Sequence, residues 1–184
     1  MMTDPGAARP RRRWSTSMPR TRKGEHPAAH LAEFQGILQV DGYSGFKSLL
    51  TGRPPDQIKL AFCWAHCRRG FYELYRSTGS PLAEEVLRRI GELYAIEAEI
   101  RGRPAEERRR VRQERSKPLV EALHAWLAIQ LGRVSGRSTL AEAIRYALRH
   151  WQGLVLFLED GRLELDTNTV ERTMRAVALR PVMQ

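Results

Sequence analysis

Between Ser80 and Leu158 apolar residues recur at steps of three and four, and this periodicity constrains the fold more than any other feature of the chain. Such spacing gives an α-helix one apolar face, which must be buried against a partner. Three stripes are legible. The first runs through Leu82, Val86, Ile90, Leu93, Tyr94 and Ile100. Ser80-Pro81 marks its start, a capping hydroxyl followed by a proline in the first helical position. Gly102-Arg103-Pro104 breaks it. The second stripe is Leu119, Leu123, Trp126, Leu127 and Leu131, and Ser116-Lys117-Pro118 reads as a fresh helix start. The third reads as one long helix, capped by Ser138, with Leu140, Ile144, Leu148, Trp151, Val155 and Leu158 inside. Between the first two lies Ala105 to Arg115, charged enough to read as a solvated helix or a mobile connector. The pattern predicts a helical bundle inserted into, or attached to, a small α/β part.

The α/β part is read from shorter signals. Gly36 to Val40 reads as a strand that ends at Asp41-Gly42, and Ile58 to Trp64 as a second strand. The second leads into a helix that starts near Ala65 and carries Phe71, Leu74 and Tyr75. Thr51 to Asp56 is a loop by its Gly, Pro and Asp residues. After the turn Glu159-Asp160-Gly161-Arg162 comes Leu163-Glu164-Leu165, then a short helix from about Thr169 to Leu179.

Composition removes several classes of function. The chain has 184 residues, 42% of them hydrophobic, enough for a proper core. Two cysteines do not make a disulfide scaffold. No apolar run approaches the roughly 20 residues of a membrane span, and the basic N-terminus lacks the apolar segment of a signal peptide. The expectation is a soluble protein in a reducing, intracellular setting. The net charge of +10 favours a polyanionic partner, most simply nucleic acid. Much of that charge sits in the first 23 residues, where Arg9, Arg11, Arg12, Arg13, Arg20, Arg22 and Lys23 face one acid, Asp4. This stretch reads as a basic, disordered arm, either gripping phosphates or forming a poorly ordered terminus.

Three acids are unusually placed. Asp41 stands at a strand end beside a glycine, Asp166 precedes a helix, and Glu171 lies in that helix's first turn. Carboxylates fixed on a strand and a nearby helix suit a hard divalent cation. Two such ions about 3.5–4 Å apart would serve phosphodiester chemistry. Ordinary roles compete. Asp-Gly is a turn pair, Asn168 and Glu171 have capping-box spacing, and Glu171 with Arg175 is an i, i+4 ion pair. Cys63, His66 and Cys67 invite a zinc or a Cys–His nucleophile reading. The competing reading packs Cys63 and Trp64 inside and leaves Arg68 and Arg69 to phosphate or solvent.

Four segments in order carry a resemblance. They are Ile37-Leu38-Gln39-Val40-Asp41-Gly42-Tyr43-Ser44-Gly45-Phe46, Cys63-Trp64-Ala65-His66-Cys67-Arg68-Arg69-Gly70-Phe71, Ile96-Glu97-Ala98-Glu99-Ile100-Arg101-Gly102, and Asp166-Thr167-Asn168-Thr169-Val170-Glu171-Arg172. From about Lys23 to about Leu179 the chain resembles bacterial insertion-sequence transposases of the DDE type, in the sixty-six family of insertion sequences. The resemblance implies an α/β fold with an RNase H-like core that holds three carboxylates and two Mg²⁺ ions. Such enzymes cut a DNA 3′ end with water and then join the freed hydroxyl to target DNA. On this likeness Asp41 resembles the second catalytic carboxylate and Glu171 the third, both as metal ligands. Cys63 and His66 resemble a Cys-x-x-His pattern found in some related transposases. Arg172 and Arg175 would meet phosphates alongside Arg68 and Arg69, with Asn168 as a possible accessory residue.

The implied organisation is an arm over 1–23, a partial core over 24–79, a helical insertion over 80–158, and a return to the core over 159–184. The implied setting is cytoplasmic, at the bacterial nucleoid, with insertion-sequence ends and target DNA as partners and no membrane. The family's first catalytic Asp, its upstream strands and its basic segment after the catalytic helix have no counterpart in the sequence. The expectation is therefore an incomplete RNase H-like core, interrupted by a large all-helical insertion, in a truncated remnant inactive alone. Two alternatives remain. One is a non-catalytic DNA-binding module that interferes with a full-length transposase or self-associates. The other is an unrelated helical protein whose acids are caps and turns.

Overall fold

A computed structural model describes residues 34–40, 54 and 57–166. Two strands, β1 (Gly36–Val40) and β2 (Ile58–Phe62), pair in parallel, with Gly36 opposite Ile58 and Val40 opposite Phe62. Both strands therefore end on the same side of the sheet. Val40, Ile58 and Leu60 are buried together, with Phe34, Leu38 and Phe62 packed around them.

The chain then turns straight into α1 (Trp64–Thr78), with Cys63 as the residue before its first turn. Gly79 closes α1 at φ +64°, a left-handed conformation in which its N–H reaches the Tyr75 carbonyl. Ser80 caps α2 (Pro81–Glu99), its hydroxyl accepting from the Ala83 N–H, and Ser138 caps α5 (Thr139–Arg149) by accepting from Ala141. Both caps are those expected from the sequence. Gly102, at φ +77°, follows α2 where the sequence predicts the break.

Three elements differ from the sequence reading. Ala105 to Arg133 is continuous helix: α3 (Ala105–Val111), a π-helical turn (Arg112–Ser116), then α4 (Lys117–Arg133). Ser116 starts nothing; its backbone is helical and it is fully buried. Pro118 lacks an N–H and would crowd the preceding turn of a regular α-helix. The wider π turn just before it, in which the Lys117 N–H reaches the Arg112 carbonyl, relieves that conflict. Of the two readings of the charged segment, helix holds and mobile connector does not: no residue of α3 is buried, and Arg112, in the π turn, is the exception at 0% exposed.

The third stripe is not one helix. It breaks at His150 (φ −98°, ψ 7°) into α5, a short α6 (Trp151–Leu154) and a 3₁₀ turn (Leu156–Leu158). The bend lays α6 on β2. A Cβ on Gly153 would stand 2.5 Å from the Leu60 carbonyl oxygen and 2.2 Å from the Phe62 ring. Apolar spacing continues through the bend, so periodicity alone does not show it.

The core lies among α1, α2, α4, α5 and the segment after α6. Trp64, Phe71, Ile90, Leu93, Leu123, Leu127 and Ile144 are almost wholly buried there. Each such side chain contributes about 1.5–3 kcal/mol. Trp64 is the hinge of the arrangement. Its indole N–H donates to the Leu154 carbonyl at 2.8 Å, and its ring meets Trp151 and Phe157 edge-on. Phe62 packs against this core and against the strand cluster, so the two are one continuous interior. The result is mixed α/β: mostly helical, with a small parallel sheet.

Candidate functional site

The site is built where the ends of β1 and β2 meet the segment that leaves the helices. After the 3₁₀ turn, Glu159 to Asp166 runs as a strap back to the sheet. The Gln39 side-chain amide donates to the Glu164 carbonyl at 2.7 Å, and the Trp64 N–H donates to the Leu165 carbonyl at 3.1 Å. Gln39 lies near the end of β1, just before Asp41, and Asp166 is the last described residue before Glu171. Asp41, Asn168, Glu171, Arg172 and Arg175 themselves lie outside the described residues.

The cysteine–histidine cluster takes the packing role. Cys63 and Cys67 are both 3% exposed and face the core, while His66 faces outward from the first turn of α1. Burial, with Cys63 nearby, pushes the Cys67 thiol up from 9.0 to about 12. A buried thiol held protonated is a poor nucleophile. Among the described residues no group of three or more His, Cys, Asp or Glu side chains converges.

Arg68 and Arg69 are exposed on α1. Between α2 and the π turn, Arg88 and Arg89 pair with Glu85, Arg103 with Glu107 and Arg112 with Glu97. With Ala65, Tyr72, Gly91 and Tyr94, the two α1 arginines line an open groove of about 520 Å³ between α1 and α2. The Arg68 guanidinium sits 5.8 Å from the centre of the Tyr72 ring, which is 43% exposed. An arginine pair beside an exposed aromatic ring suits a phosphodiester with its base.

Tyr94 also walls a second, smaller hollow of about 80 Å³ that reaches Arg101, Arg108, Glu164 and Asp166. Burial first, then the Asp166 carboxylate, pushes the Tyr94 phenol well above its ordinary range. The two groups influence each other by charge, although the Tyr94 hydroxyl forms no bond of ordinary geometry. Sequence reasoning singles out Asp166 but misses Tyr94, whose apolar spacing marks it only as core.

The Transposase IS66 family matches residues 4–181. This chain belongs to that family. The match takes in most of the basic arm, which the sequence resemblance left outside. Three proteins of Sinorhizobium fredii (strain NBRC 101917 / NGR234) are similar to it. "Uncharacterized protein y4jD" is 46% identical over 162 residues, covering 86% of this chain and 32% of that protein. "Uncharacterized protein y4hP" is 44% identical over 171 residues, covering 86% of this chain and 31% of that protein. "Uncharacterized protein y4qI" is 47% identical over 152 residues, covering 80% and 28%. The chain thus spans about a third of the length of these curated relatives. No solved structure matches it. Membership of an IS66 transposase family ties the chain to transposition. No helix among the described residues is long and apolar enough to cross a membrane.

Proposed function

We propose that these residues form the middle of a DDE-type catalytic region that cleaves and transfers DNA strands, with an RNase H-like core around β1 and β2. Asp41 and Glu171 act as metal carboxylates. The observation that carries this reading is the strap, whose Glu164 and Leu165 carbonyls are bonded to Gln39 and Trp64. The chain leading to Glu171 and the strand leading to Asp41 are thereby brought to one end of the sheet.

Mg²⁺ fits the donor chemistry proposed for this site. Carboxylate oxygens suit a hard cation, whereas the cysteines nearby are buried in the core. When bound, the ion supplies activation of water or a 3′ hydroxyl for attack on phosphorus. The chain's own residues bind and orient the DNA. Arg68 and Arg69 take phosphates along the α1–α2 groove, Arg172 and Arg175 take them beside Glu171, and His66 and Asn168 stand as accessory polar groups. Two carboxylates hold such ions less firmly than three, so these 184 residues alone do not cut DNA on this reading.

The test is direct. The purified chain is incubated with insertion-sequence end DNA and Mg²⁺, and binding and cleavage are followed together. Salt-dependent binding without cleavage is expected. Arg68→Ala/Arg69→Ala lowers the salt slope by about one for each phosphate that the variant no longer neutralises. Asp41-dependent cleavage by the chain alone overturns the claim of inactivity. DNA binding that resists Asp41→Asn and Glu171→Gln but needs the arm favours the alternative, a non-catalytic module that interferes with a full-length transposase.

A further inference from the structure

The segment Ile96–Gly102 resembles the family yet has no part in the proposed chemistry, and the charged run Ala105–Arg115 contains an arginine with no access to water. The two features are one device. Arg112 is 0% exposed, and its guanidinium uses all five of its N–H donors. Nε and Nη2 donate to the two Glu97 carboxylate oxygens, each at 2.7 Å. Nη1 donates to the carbonyls of Phe157 (2.9 Å) and Asp160 (3.2 Å), and Nη2 donates again to Leu163 (2.9 Å). Three of the five acceptors are thus backbone atoms of the segment that leaves the bundle.

Arg108, one helical turn earlier, repeats the grip. It donates to the Leu163 carbonyl at 3.3 Å and to both Glu164 carboxylate oxygens at 2.9 and 3.0 Å. Gly161 closes the other side. A Cβ there would stand 1.7 Å from the Ala105 carbonyl oxygen, so the turn sits directly on the first residue of α3. Glu164 is then held from two directions, by Arg108 through its carboxylate and by Gln39 through its carbonyl.

We propose that Arg112, Glu97 and Arg108 are positioning residues: they clamp the strap Glu159–Asp166, and the 3₁₀ turn before it, to the helical bundle and so fix where the chain departs towards Glu171. Apolar packing could supply comparable stability without a buried ion pair. A planar fork with five donors adds selection of one strap conformation, which a point charge or an apolar side chain cannot make. The functional half of this inference rests on the reading of Asp41 and Glu171 as metal ligands. The clamp itself rests on contacts within the described residues.

The test uses the full 184-residue chain with Arg112→Lys, which keeps the charge and loses the fork. Amide hydrogen exchange is followed by mass spectrometry in peptides covering 157–166 and in peptides from α4 and α5. Mn²⁺ binding is followed in parallel by calorimetry. The clamp predicts exchange in the strap faster by about ten-fold or more, with α4 and α5 unchanged. It also predicts Mn²⁺ affinity lowered by about 10–100-fold, the usual effect of loosening the support of a ligand. If Arg112→Lys does not fold, Glu97→Gln reads the same two quantities. Unchanged strap exchange, or exchange that rises equally in the bundle, overturns the clamp. A loosened strap with unchanged Mn²⁺ affinity overturns its positioning role. If the unsubstituted chain shows no Mn²⁺ binding that depends on Asp41 and Glu171, the functional reading fails, and strap exchange alone then decides the clamp.

Discussion

Gln39 and Glu164 are joined by a 2.7 Å hydrogen bond from the Gln39 side-chain amide to the Glu164 backbone carbonyl. They stand far apart in sequence, one at the end of β1 and one after the whole helical bundle. The bond fastens the returning chain to the sheet beside the position from which Asp41 follows. Gln39→Ala removes the donor and leaves a backbone carbonyl short of a partner. The expected cost is about 0.5–1.5 kcal/mol in urea unfolding, with unchanged helix content by circular dichroism. Destabilisation well beyond that range would mean that Gln39 holds more than this one bond.

Gly153 and Gly161 are close-approach glycines. A methyl group at Gly153 meets the Leu60 carbonyl and the Phe62 ring, and one at Gly161 meets the Ala105 backbone. Gly153→Ala and Gly161→Ala should each destabilise by about 1–3 kcal/mol or more, because backbone must move to make room. Gly91 is the control. It lies inside α2 with nothing within 4 Å of its added Cβ, and Gly91→Ala should stabilise by about 0.5–1 kcal/mol. Thermal unfolding of the three variants checks the contrast. Equal effects at the three positions would refute the placement of α6 and of the Gly161 turn.

Ser116 separates the helix-start reading from the observed continuous helix. As a cap, its loss to alanine would cost about 1 kcal/mol. In the structure its hydroxyl is fully buried without a hydrogen-bond partner. Ser116→Ala should therefore be neutral or stabilising, since an unpaired buried hydroxyl carries a desolvation penalty. Chemical denaturation of the single variant decides between the two.

Titration gives a further check at both ends of the pH range. Hydrogen bonds from Arg88 and Arg89 hold the half-buried Glu85 carboxyl at about 2, and Arg162 holds Asp160 at about 2. The folded values lie below the ordinary ones of 4.5 and 3.8. What these groups contribute is therefore present above about pH 4.5 and is lost as the pH falls towards 2. Cys67 behaves in the opposite sense. Its folded value of about 12 exceeds 9.0, so the folded state is undisturbed by this group below pH 9 and loses stability as the pH rises from 9 to 12. Iodoacetamide at about pH 8 should leave Cys67 unmodified in the folded chain and alkylate it in urea. Fast modification of Cys67 without denaturant would contradict its burial.

Local signals carried well from sequence to structure, and long-range ones did not. The strand Gly36–Val40, the caps at Ser80 and Ser138 and the break at Gly102 depend on neighbouring residues, and all stand where the sequence puts them. Arg112 shows the opposite case. Within a run of arginines nothing marks the one that turns inward, because its partners are Glu97 and three carbonyls beyond residue 156. The bend at His150 is similar, since it answers to the surface of β2 rather than to its own spacing. Of the proposed site, the sequence offers Asp41 and Glu171, which lie outside the described residues, and the pair Arg68 and Arg69, which is exposed on α1. The strap bonds that bring their flanking segments together end on backbone carbonyls, on which side-chain patterns are silent.

The central claim is that Asp41 and Glu171 belong to one metal site, and Mn²⁺ titration of the 184-residue chain tests it most directly. Calorimetry is run on the unsubstituted chain, on Asp41→Asn, on Glu171→Gln and on the double variant. The account predicts that each single substitution weakens Mn²⁺ binding by about ten-fold or more, and that the double variant is little worse than either, as expected for ligands of a shared ion. Binding that is unaffected by both substitutions, or lost additively as from two separate sites, would contradict it.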